Sequence, residues 1–574
     1  MKHLERLFII LMLIYLPNSL ISQEKSIHCF DFGGSFQKVA PGFVPVSRVY
    51  HSPKYLWIDN VTEVARIECK DPLLRDFVSG KKGEIWFGFP EGTYKIRVIM
   101  YDCKESHGPF DIYIQDKIVQ KAVMINKDKL TELDFNVNVK DTILRVKFVS
   151  ENNTFCVNGI IIEAEHNTTL NKIFKDVPDE DLPSIDEVIT KGNIDARQML
   201  KEICDWLISR NMPNGFLGDF EPGNITQNLW WYSSAYPIRT LLAGYKIFNE
   251  KKYLEAVINL LDKLVSEQLP NGAFQQIYRN KPTKDLTEKD IEFITKNFWL
   301  NIADIGSIVT ALGIASNYVD GDRKEKYINA VKKYCDGWAI KWQKPNGGFT
   351  NGLENGVPQK DVYHVATSTS CAAFTVAYVI TKDERYLKVA EKAAQFLLKN
   401  WKEDGRPIYY AHYGEGCPSV APQSVNHFGS AFYYSDGLLM LFHHTKDEKI
   451  KEKMKKVYSN YIKGEEGLLK NIGDKPWFPL QDAWNNSKTA GMPLVFLCYS
   501  KMEKDPVVEK YLLLFKKFLS TKEFSEKLGV MIKESYLPWG VHTLQSWSAC
   551  SMAATGFAGL SLAEMVEPGL IYLK

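Results

Sequence analysis

One turn that recurs six times in the C-terminal two thirds of the chain constrains the fold most. A typical copy reads Asn-Gly followed by an apolar residue, and the glycines are Gly215, Gly272, Gly347, Gly405, Gly467 and Gly529. Successive copies lie 57 to 75 residues apart, enough for two helices and their connections. Glycine is typical just past a helix end, because it enters the left-handed region without a Cβ penalty. The repeat therefore predicts six helical hairpins, which can close into a ring of inner and outer helices.

Length and charge limit the class of protein. At 574 residues the chain is too long for one ordinary domain, and two or three are expected. Hydrophobic residues at 45% and charged residues at 24% are typical of a soluble globular protein. The net charge of +2 conceals no obvious basic cluster, so nucleic acid is not expected as a partner.

Residues 1–22 have the pattern of an export signal. Lys2 and Arg6 precede an apolar run over residues 7–16, which Pro17 interrupts before it is long enough to span a bilayer. No comparable apolar stretch follows, and no cysteine stands where a lipid anchor would be attached. We expect a secreted or periplasmic protein that begins near Gln23 and has no membrane span after signal removal.

Ten cysteines are spread thinly along the chain. A Cys29–Cys156 disulfide would tie the first strand of the N-terminal domain to its last, and the alternative is that both are buried thiols. No pair has CxxC spacing, so a structural zinc site is not predicted, and we expect neither a metal nor a cofactor.

Residues 23–166 are predicted to form an antiparallel β-sandwich, because short alternating runs are separated by turn residues. The segments 30–33, 41–43, 74–78, 90–94 and 157–160 resemble malectin-like or galactose-binding-like modules of polysaccharide-degrading enzymes. The resemblance implies sugar binding through loop side chains and nominates Tyr50, Tyr55, Trp57 and His107. Each of these residues fits a structural role equally well.

An acidic, proline-containing linker over residues 167–192 leads into a helical domain at 193–574. Outer helices carry one apolar face, as at residues 253–264 and 386–397, whereas the inner helices are less polar throughout. The predicted inner helices are 233–248, 304–318, 366–380, 424–443, 488–501 and 543–565.

Aromatic and hydrogen-bonding residues stand just before each predicted inner helix. If the ring closes, six such clusters meet at one mouth, and such a funnel suits carbohydrate, whose faces stack on aromatic rings while its hydroxyls need polar partners. The clusters are Trp230 with Trp231; Trp299, Asn301 and Asp304; Tyr363 and His364; Asn426 and His427; Asp482 and Trp484; and Trp539 and His542.

The helical domain resembles the six-hairpin (α/α)6-barrel enzymes of glycan breakdown. These include unsaturated glucuronyl hydrolases, helical polysaccharide lyases and the C-terminal domain of glucuronyl epimerases. The resemblance rests on the repeat architecture and on segments 241–245 and 434–440. The second segment, which contains Asp436, looks like the inner-helix motif of the glucuronyl hydrolases. A second matching aspartate motif is absent, so their mechanism is not transferred.

Glycoside hydrolysis needs two carboxyl groups, one as general acid and one as base or nucleophile. Asp304 and Asp482 are the best pair by position, and Asp436 is the reserve. Glu221, Glu354 and Glu415 lie on the preceding loops and could supply a missing acid. The alternative for Asp304 is a helix N-cap.

Two other functions remain open. A uronate lyase needs a Tyr or His base and a neutraliser for the carboxylate, for which Tyr363, His364, His427 and His542 are candidates, with Asn301, Asn426 or Arg239 as neutralisers. A non-catalytic glycan-binding protein is the third possibility. In each case the partner is a polysaccharide or oligosaccharide, held by Trp230, Trp231, Trp299, Asn301, Trp484, Trp539 and His542.

Overall fold

The structure is a computed structural model. It describes residues 27–33, 39–46, 55–57, 61–66, 68–89, 92–140, 143–164, 195–209, 231–279, 281–400, 431–463, 492–520 and 549–572. The contacts and distances given below are those among these residues.

The N-terminal part consists of short strands that begin and end near the predicted turn residues. They are β1 (Ile27–Phe32), β2 (Val44–Val46), β3 (Tyr55–Trp57), β4 (Thr62–Ala65), β5 (Asp76–Gly80), β6 (Lys82–Gly88), β7 (Gly92–Met100), β8 (His107–Ile114), β9 (Lys117–Ile125), β10 (Thr131–Val139), β11 (Ile143–Val149), β12 (Phe155–Val157) and β13 (Gly159–Ala164).

These strands form two five-stranded sheets, ordered β10-β7-β13-β1-β2 and β3-β6-β11-β8-β9, and a three-stranded sheet, β12-β5-β4. Both larger sheets contribute to one hydrophobic core, in which Phe30 of β1 meets Phe87 of β6 with ring centroids 4.8 Å apart. The prediction of purely antiparallel pairing is wrong at one place, because β1 and β2 run parallel. The strands β6 and β7 are neighbours in sequence but lie in different sheets.

The Cys29–Cys156 disulfide, one of the two alternatives left open by the sequence, is not formed. Both thiols are free: Cys29 is half-buried on β1 opposite Ile161, and Cys156 is buried on β12. The Cys156 Sγ lies 3.3 Å from the Tyr101 carbonyl oxygen, to which it donates. Burial raises the pKa of the Cys156 thiol, because a thiolate is poorly solvated there.

The C-terminal part is helical. Its α-helices are α1 (Ala196–Ser209), α2 (Trp231–Phe248), α3 (Lys251–Ser266), α4 (Glu288–Asn297), α5 (Ala303–Ala315), α6 (Gly321–Gly337), α7 (His364–Thr381), α8 (Glu384–Lys399), α9 (Ala431–Thr445), α10 (Glu448–Lys463), α11 (Met492–Met502), α12 (Pro506–Ser520) and α13 (Ala549–Val566). Short strands precede two of the inner helices: β14 (Leu300–Asn301), β15 (Phe349–Thr350), β16 (Gly352–Glu354), β17 (Val357–Pro358) and β18 (Val362–Tyr363).

Six helices form a closed inner ring. In order around the ring, α2, α5, α7, α9, α11 and α13 each pack against the next, and α13 packs against α2. The helices α1, α3, α6, α8, α10 and α12 lie outside them. This arrangement confirms the predicted alternation of inner and outer helices.

The burial pattern explains the two roles. On the outer helix α3, residues Tyr253, Val257, Leu260 and Leu264 are buried along one face. The inner helix α5 is buried over its whole length. A helix with one apolar face stays at the surface, whereas a helix that is apolar all round must be enclosed.

Two of the repeated turns lie in the described ranges, at Gly272 and Gly347. Both glycines have left-handed backbone, with φ of +90° and +97°. The sequence predicted that these glycines end the preceding helices. Instead, each glycine closes a separate turn six or more residues after the helix has ended. In each turn a glutamine amide, of Gln268 or Gln343, donates to the glycine carbonyl and to a carbonyl of the next outer helix. The repeat therefore fixes successive hairpins to one another.

Among the described residues, no helix combines the length and the apolar character that crossing a membrane requires.

Candidate functional site

Asp304 lies in the first turn of the inner helix α5 and is 6% exposed. It is not the N-cap, which is Ile302, so the capping alternative is wrong. The Asp304 Oδ2 accepts a 2.5 Å hydrogen bond from Gln276 Nε2 and a 2.8 Å bond from Asn301 Nδ2. Both amides donate to the same oxygen, so the Asp304 carboxyl group is held in one orientation at the start of α5.

The strand β14 positions Asn301 for that contact. Asn301 pairs with Gly352 of β16 and is completely buried. Its Nδ2 donates to Asp304, whereas its Oδ1 is buried without a hydrogen-bond partner in the described structure. Gln275, which is 3% exposed, likewise has no hydrogen-bond partner in the described structure for its amide nitrogen or its amide oxygen. Buried polar atoms are usually paired, so these acceptors and donors are suited to a bound ligand.

A second carboxyl group, Glu354, lies at the end of β16 and is half-buried. Asn351 connects it to the start of α5: the Asn351 Oδ1 accepts from the Ala303 backbone N–H at 3.0 Å, and its Nδ2 donates to Glu354 Oε1 at 2.8 Å. Burial raises the pKa of Glu354, and the charge of Asp304 raises it further, against the opposing effect of the Asn351 bond. Glu354 therefore keeps its proton to higher pH than an ordinary glutamate.

Two of the candidate tryptophans, Trp231 and Trp299, lie in the described ranges, and both are hydrogen-bonded to the same segment. The Trp231 N–H, at the start of α2, donates to the Gln276 carbonyl at 3.1 Å, and the Gln276 N–H donates to the Trp299 carbonyl at 2.9 Å. The Trp231 ring is buried edge-on against Tyr278, with centroids 5.4 Å apart, whereas Trp299 is half-buried. Trp231 thus has a packing role, and Trp299 is the tryptophan with a surface left for a ligand.

Tyr363 and His364 also lie at the start of an inner helix. Tyr363 is the N-cap of α7 and pairs with Phe349 of β15, and His364 is the first residue of the helix. Their exposed fractions are 2% and 0%. The structure thus places both at the predicted end of the ring but encloses their side chains.

Asp436 lies elsewhere, in the middle of the inner helix α9. Its Oδ2 accepts a 2.6 Å bond from Arg239 Nη1 of α2, and both side chains are almost fully buried. Arg239 also donates to the Ile571 carbonyl near the end of the described chain. The proposed reserve acid and the proposed carboxylate neutraliser are thus partners in one buried ion pair that joins two inner helices.

The remaining candidates fall outside the described residues. These are Trp230, His427, Asp482, Trp484, Trp539 and His542, together with Glu221, Glu415 and Asn426. Their roles remain predictions.

The sequence analysis overlooked Gln276 and Asn351, although the repeat contains them. Each stands four residues after a turn glycine, Gly272 or Gly347. Each carbonyl accepts a backbone N–H at the start of an inner helix, from Trp231 or Ile302, and each side chain reaches the Asp304 region. The residue four positions after the turn glycine differs in type among the six repeats, so the repeat does not single out either amide.

In the N-terminal part, Asp102, Glu105 and His107 stand close enough to hold a metal ion. However, the Arg66 guanidinium donates to both oxygens of Asp102, at 2.9 and 2.8 Å, and His107 Nε2 lies 2.9 Å from Asp102 Oδ2. This saturated ion-pair network does not suit a cation.

Two of the four nominated sugar-binding residues, His107 and Trp57, lie in the interior of the N-terminal part. His107 is enclosed between Asp102 and Thr154, and Trp57 is 1% exposed in the core against Phe32. Both residues therefore have the structural role that was the alternative to sugar binding. Tyr50 and the side chain of Tyr55 lie outside the described residues.

Comparison with known proteins gives similarity of fold only. No family model matches the chain, and no curated protein matches its sequence. Among solved structures, the α-1,6-mannanase GH76A of Salegentibacter sp. HEL1_6 has a TM-score of 0.43 at 16% identity, covering 64% of this chain and 100% of that one.

Two further structures are similar to a comparable degree. A family 76 glycoside hydrolase from a bovine Bacteroides thetaiotaomicron strain has a TM-score of 0.46 at 10% identity, covering 85% of this chain and 97% of that one. A D-mannose isomerase has a TM-score of 0.42 at 13% identity, covering 63% and 97%. These values do not assign the chain to a family.

Proposed function

We propose that the chain is a glycoside hydrolase that acts on a polysaccharide or its oligosaccharides at the N-terminal ends of the inner helices. One observation carries the proposal. The Asp304 carboxylate is held by two amide donors next to a second carboxyl group, Glu354, whose pKa is raised. Hydrolysis of a glycosidic bond requires two carboxyl groups, one that donates a proton and one that acts as base or nucleophile.

The environments assign the roles. We assign Asp304 as the base on water or the nucleophile on the sugar, and two amide donors hold its Oδ2 in place. Glu354, whose pKa is raised, is assigned as the acid that donates a proton to the leaving oxygen. The buried Asn301 Oδ1 and Gln275 amide would bind sugar hydroxyls, and the half-buried Trp299 offers a ring on which a sugar can stack.

Four further features are proposed from the sequence alone. Asp482, which the sequence pairs with Asp304, is proposed as a further carboxylate of the site. The N-terminal sheets are proposed to be a β-sandwich accessory module, and residues 1–22 an export signal of a secreted or periplasmic protein. A substrate containing uronic acid is included in the proposal.

The reaction type is tested by incubating the protein with plant, algal and animal polysaccharides and their oligosaccharides. New reducing ends should appear without ultraviolet absorbance, because hydrolysis leaves no double bond. Reducing ends accompanied by absorbance would mean elimination and would favour Tyr363 and His364 instead. Binding without turnover on any substrate would favour the non-catalytic alternative.

The proposed residues are tested by Asp304→Asn and Glu354→Gln. Each should lower kcat by about 10²- to 10⁴-fold, the usual contribution of a general acid or base. Glu292→Gln is the matched control, since Glu292 is an exposed carboxylate on α4 paired with Lys296. Unchanged kcat in both site variants would remove this pair from the mechanism.

Glu354 can be tested separately through the leaving group. An aryl glycoside with an acidic phenol needs little protonation, so Glu354→Gln should hydrolyse it far better than it hydrolyses a natural glycoside. Asp304→Asn should be impaired on both substrates. The raised pKa of Glu354 also predicts that the alkaline limb of the wild-type kcat profile lies above the ordinary glutamate range, and that this limb disappears in Glu354→Gln.

A further inference from the structure

A cavity of about 660 Å³ lies at the opposite end of the helical ring from Asp304. It is bounded by the C-terminal ends of α2 and α5 and by the segment that follows α13. Ile314, one of its lining residues, is ten positions after Asp304 on α5, or about 15 Å along the helix. The cavity is therefore separate from the proposed active site, and its volume is typical of a small-molecule site.

The walls of the cavity are aromatic and fixed. Tyr245 and Tyr318 face each other edge to face, with ring centroids 6.2 Å apart. Tyr572 forms part of the buried lining and is stacked on His443, with centroids 4.8 Å apart. Such rings are held in place before a ligand arrives, which lowers the cost of ordering them on binding.

The rim of the cavity is polar and carries little net charge. Two exposed amides, Asn249 and Asn317, line it together with one cation, Lys246, and one anion, Asp320. Amide groups can donate to and accept from the same hydroxyl-rich ligand. Flat apolar rings beside paired donors and acceptors match a sugar, which has an apolar face and a hydroxylated edge.

The helix ends at the cavity disfavour an anionic ligand. The last carbonyl groups of α2 and α5 point to this end of the ring, and helix C-termini carry partial negative charge. A carboxylated or phosphorylated ligand is disfavoured there. We propose that this cavity is a second saccharide-binding site, specific for a short neutral oligosaccharide, that works independently of hydrolysis at Asp304.

The test uses the full chain with Asp304→Asn, so that turnover does not consume the probe. Isothermal titration calorimetry is carried out with neutral gluco-, manno- and galacto-configured trisaccharides, with a trisaccharide of galacturonic acid, and with tetramethylammonium. At least one neutral trisaccharide should bind, and adding Tyr318→Ala should weaken that binding about tenfold or more, as expected for loss of one aromatic contact surface.

Two further variants cover the case in which Tyr318→Ala does not fold. Asn317→Ala removes an exposed amide, and Asn249→Gly removes the other while keeping the left-handed backbone at φ +57°. Both should weaken binding of the trisaccharide. Tyr378→Ala is the matched control, because Tyr378 is a half-buried tyrosine near the C-terminal end of inner helix α7 that does not line the cavity. It should leave binding unchanged.

In the chain that retains Asp304, the cavity variants should keep kcat on the hydrolysed substrate within about twofold, since no catalytic group is touched. The inference is overturned if no neutral trisaccharide binds, if binding is indifferent to all three cavity variants, or if the uronate or tetramethylammonium binds in preference. Unchanged kcat in Asp304→Asn and Glu354→Gln would overturn the proposed active site without affecting binding in this cavity, so the two proposals fail separately.

Discussion

Two buried carboxyl groups in the N-terminal part, Asp31 and Asp76, are unusual at the scale of single residues. They are 0% and 1% exposed, and each has an Oδ1 without a hydrogen-bond partner in the described structure. Burial raises the pKa of Asp31 to about 6, despite a hydrogen bond from the Ala40 N–H. Burial and the charge of Asp31 raise the pKa of Asp76 to about 7, and Arg75 opposes the shift.

These values predict how stability depends on pH. A carboxyl group whose pKa is higher in the folded than in the unfolded chain stabilises the fold at low pH, and this stability is lost as pH rises through the folded value. Between about pH 4 and 7 the free energy of unfolding should therefore fall, by up to about 4 kcal/mol for Asp76 alone. The measurement is urea unfolding across this range, followed by fluorescence.

Asp76→Asn should flatten that dependence and make the protein more stable than wild type above pH 7, because no charge then has to be buried. Asp116→Asn is a suitable control, since Asp116 is exposed and its left-handed backbone tolerates asparagine. If Asp76→Asn and wild type have parallel pH profiles, the Asp76 carboxyl is ionised in the folded protein and this account of it is wrong.

Part of the proposed site was a candidate from residue types alone, and the rest was not. Asp304, Asn301 and Trp299 were candidates because aromatic and polar residues stand together before a helix whose other residues are apolar. Gln276 and Asn351 were missed because an amide on a loop has no distinctive pattern, and its role depends on a hydrogen bond to a residue 28 or 48 positions away. For His107 and Trp57 the sequence left two alternatives open, because neither residue type reveals whether it is buried.

At the scale of elements, the outer helices are joined by a recurring bond that the sequence did not indicate. A buried tyrosine on one outer helix donates to an aspartate on the preceding one. The three pairs are Tyr253 with Asp205 at 2.7 Å, Tyr327 with Asp262 at 2.9 Å, and Tyr386 with Asp336 at 2.9 Å. Periodicity predicts which face of a helix is buried, but it does not show which side chains meet across two helices. The helices were therefore predictable, and their contacts were not.

The glycine turns can be tested by comparing two glycines with left-handed backbone. A Cβ at Gly347 would lie 2.3 Å from the Lys392 carbonyl oxygen of the outer helix α8, whereas a Cβ at Gly321 meets no atom within 4 Å. Gly321→Ala should cost only the backbone strain, about 1–2 kcal/mol. Gly347→Ala should cost about 3 kcal/mol or more in the free energy of unfolding, because strain is added to a clash with backbone.

Denaturant unfolding of both glycine variants measures the difference, with the slope against denaturant concentration checked to be unchanged. Equal losses at the two positions would mean that α8 can shift away from the turn. The turn would then not be what holds successive hairpins together.

At the scale of the whole molecule, the closed ring separates the ends of its inner helices into two working faces. The N-terminal ends carry Asp304 and Glu354, and the C-terminal ends surround the cavity lined by Tyr245 and Tyr318. The ring itself could be predicted from the repeat, because six equal units with one buried face each have few ways to enclose a core. The second face could not be predicted, since its residues come from helix ends that are distant in sequence and share no motif.

The ion pair between Arg239 and Asp436 holds the ring together from inside. It joins α2 to α9, two inner helices that are not neighbours around the ring, at an N–O distance of 2.6 Å. Asp436→Asn would leave a buried guanidinium without its counter-charge and should cost about 3–5 kcal/mol in the free energy of unfolding. Replacing both residues by apolar ones of similar size, Arg239→Met with Asp436→Leu, should restore most of that loss, because the desolvation cost disappears with the charges.

Urea unfolding of the single and double variants decides between a structural and a catalytic Asp436. Glu292→Gln is the control for an exposed ion pair and should leave the free energy of unfolding almost unchanged. If Asp436 is structural, the double variant regains stability and retains hydrolysis, since Asp304 and Glu354 are untouched. If Asp436→Asn is as stable as wild type yet loses turnover, and the double variant is also inactive, Asp436 is the acid of the reaction and the ring closes without this pair.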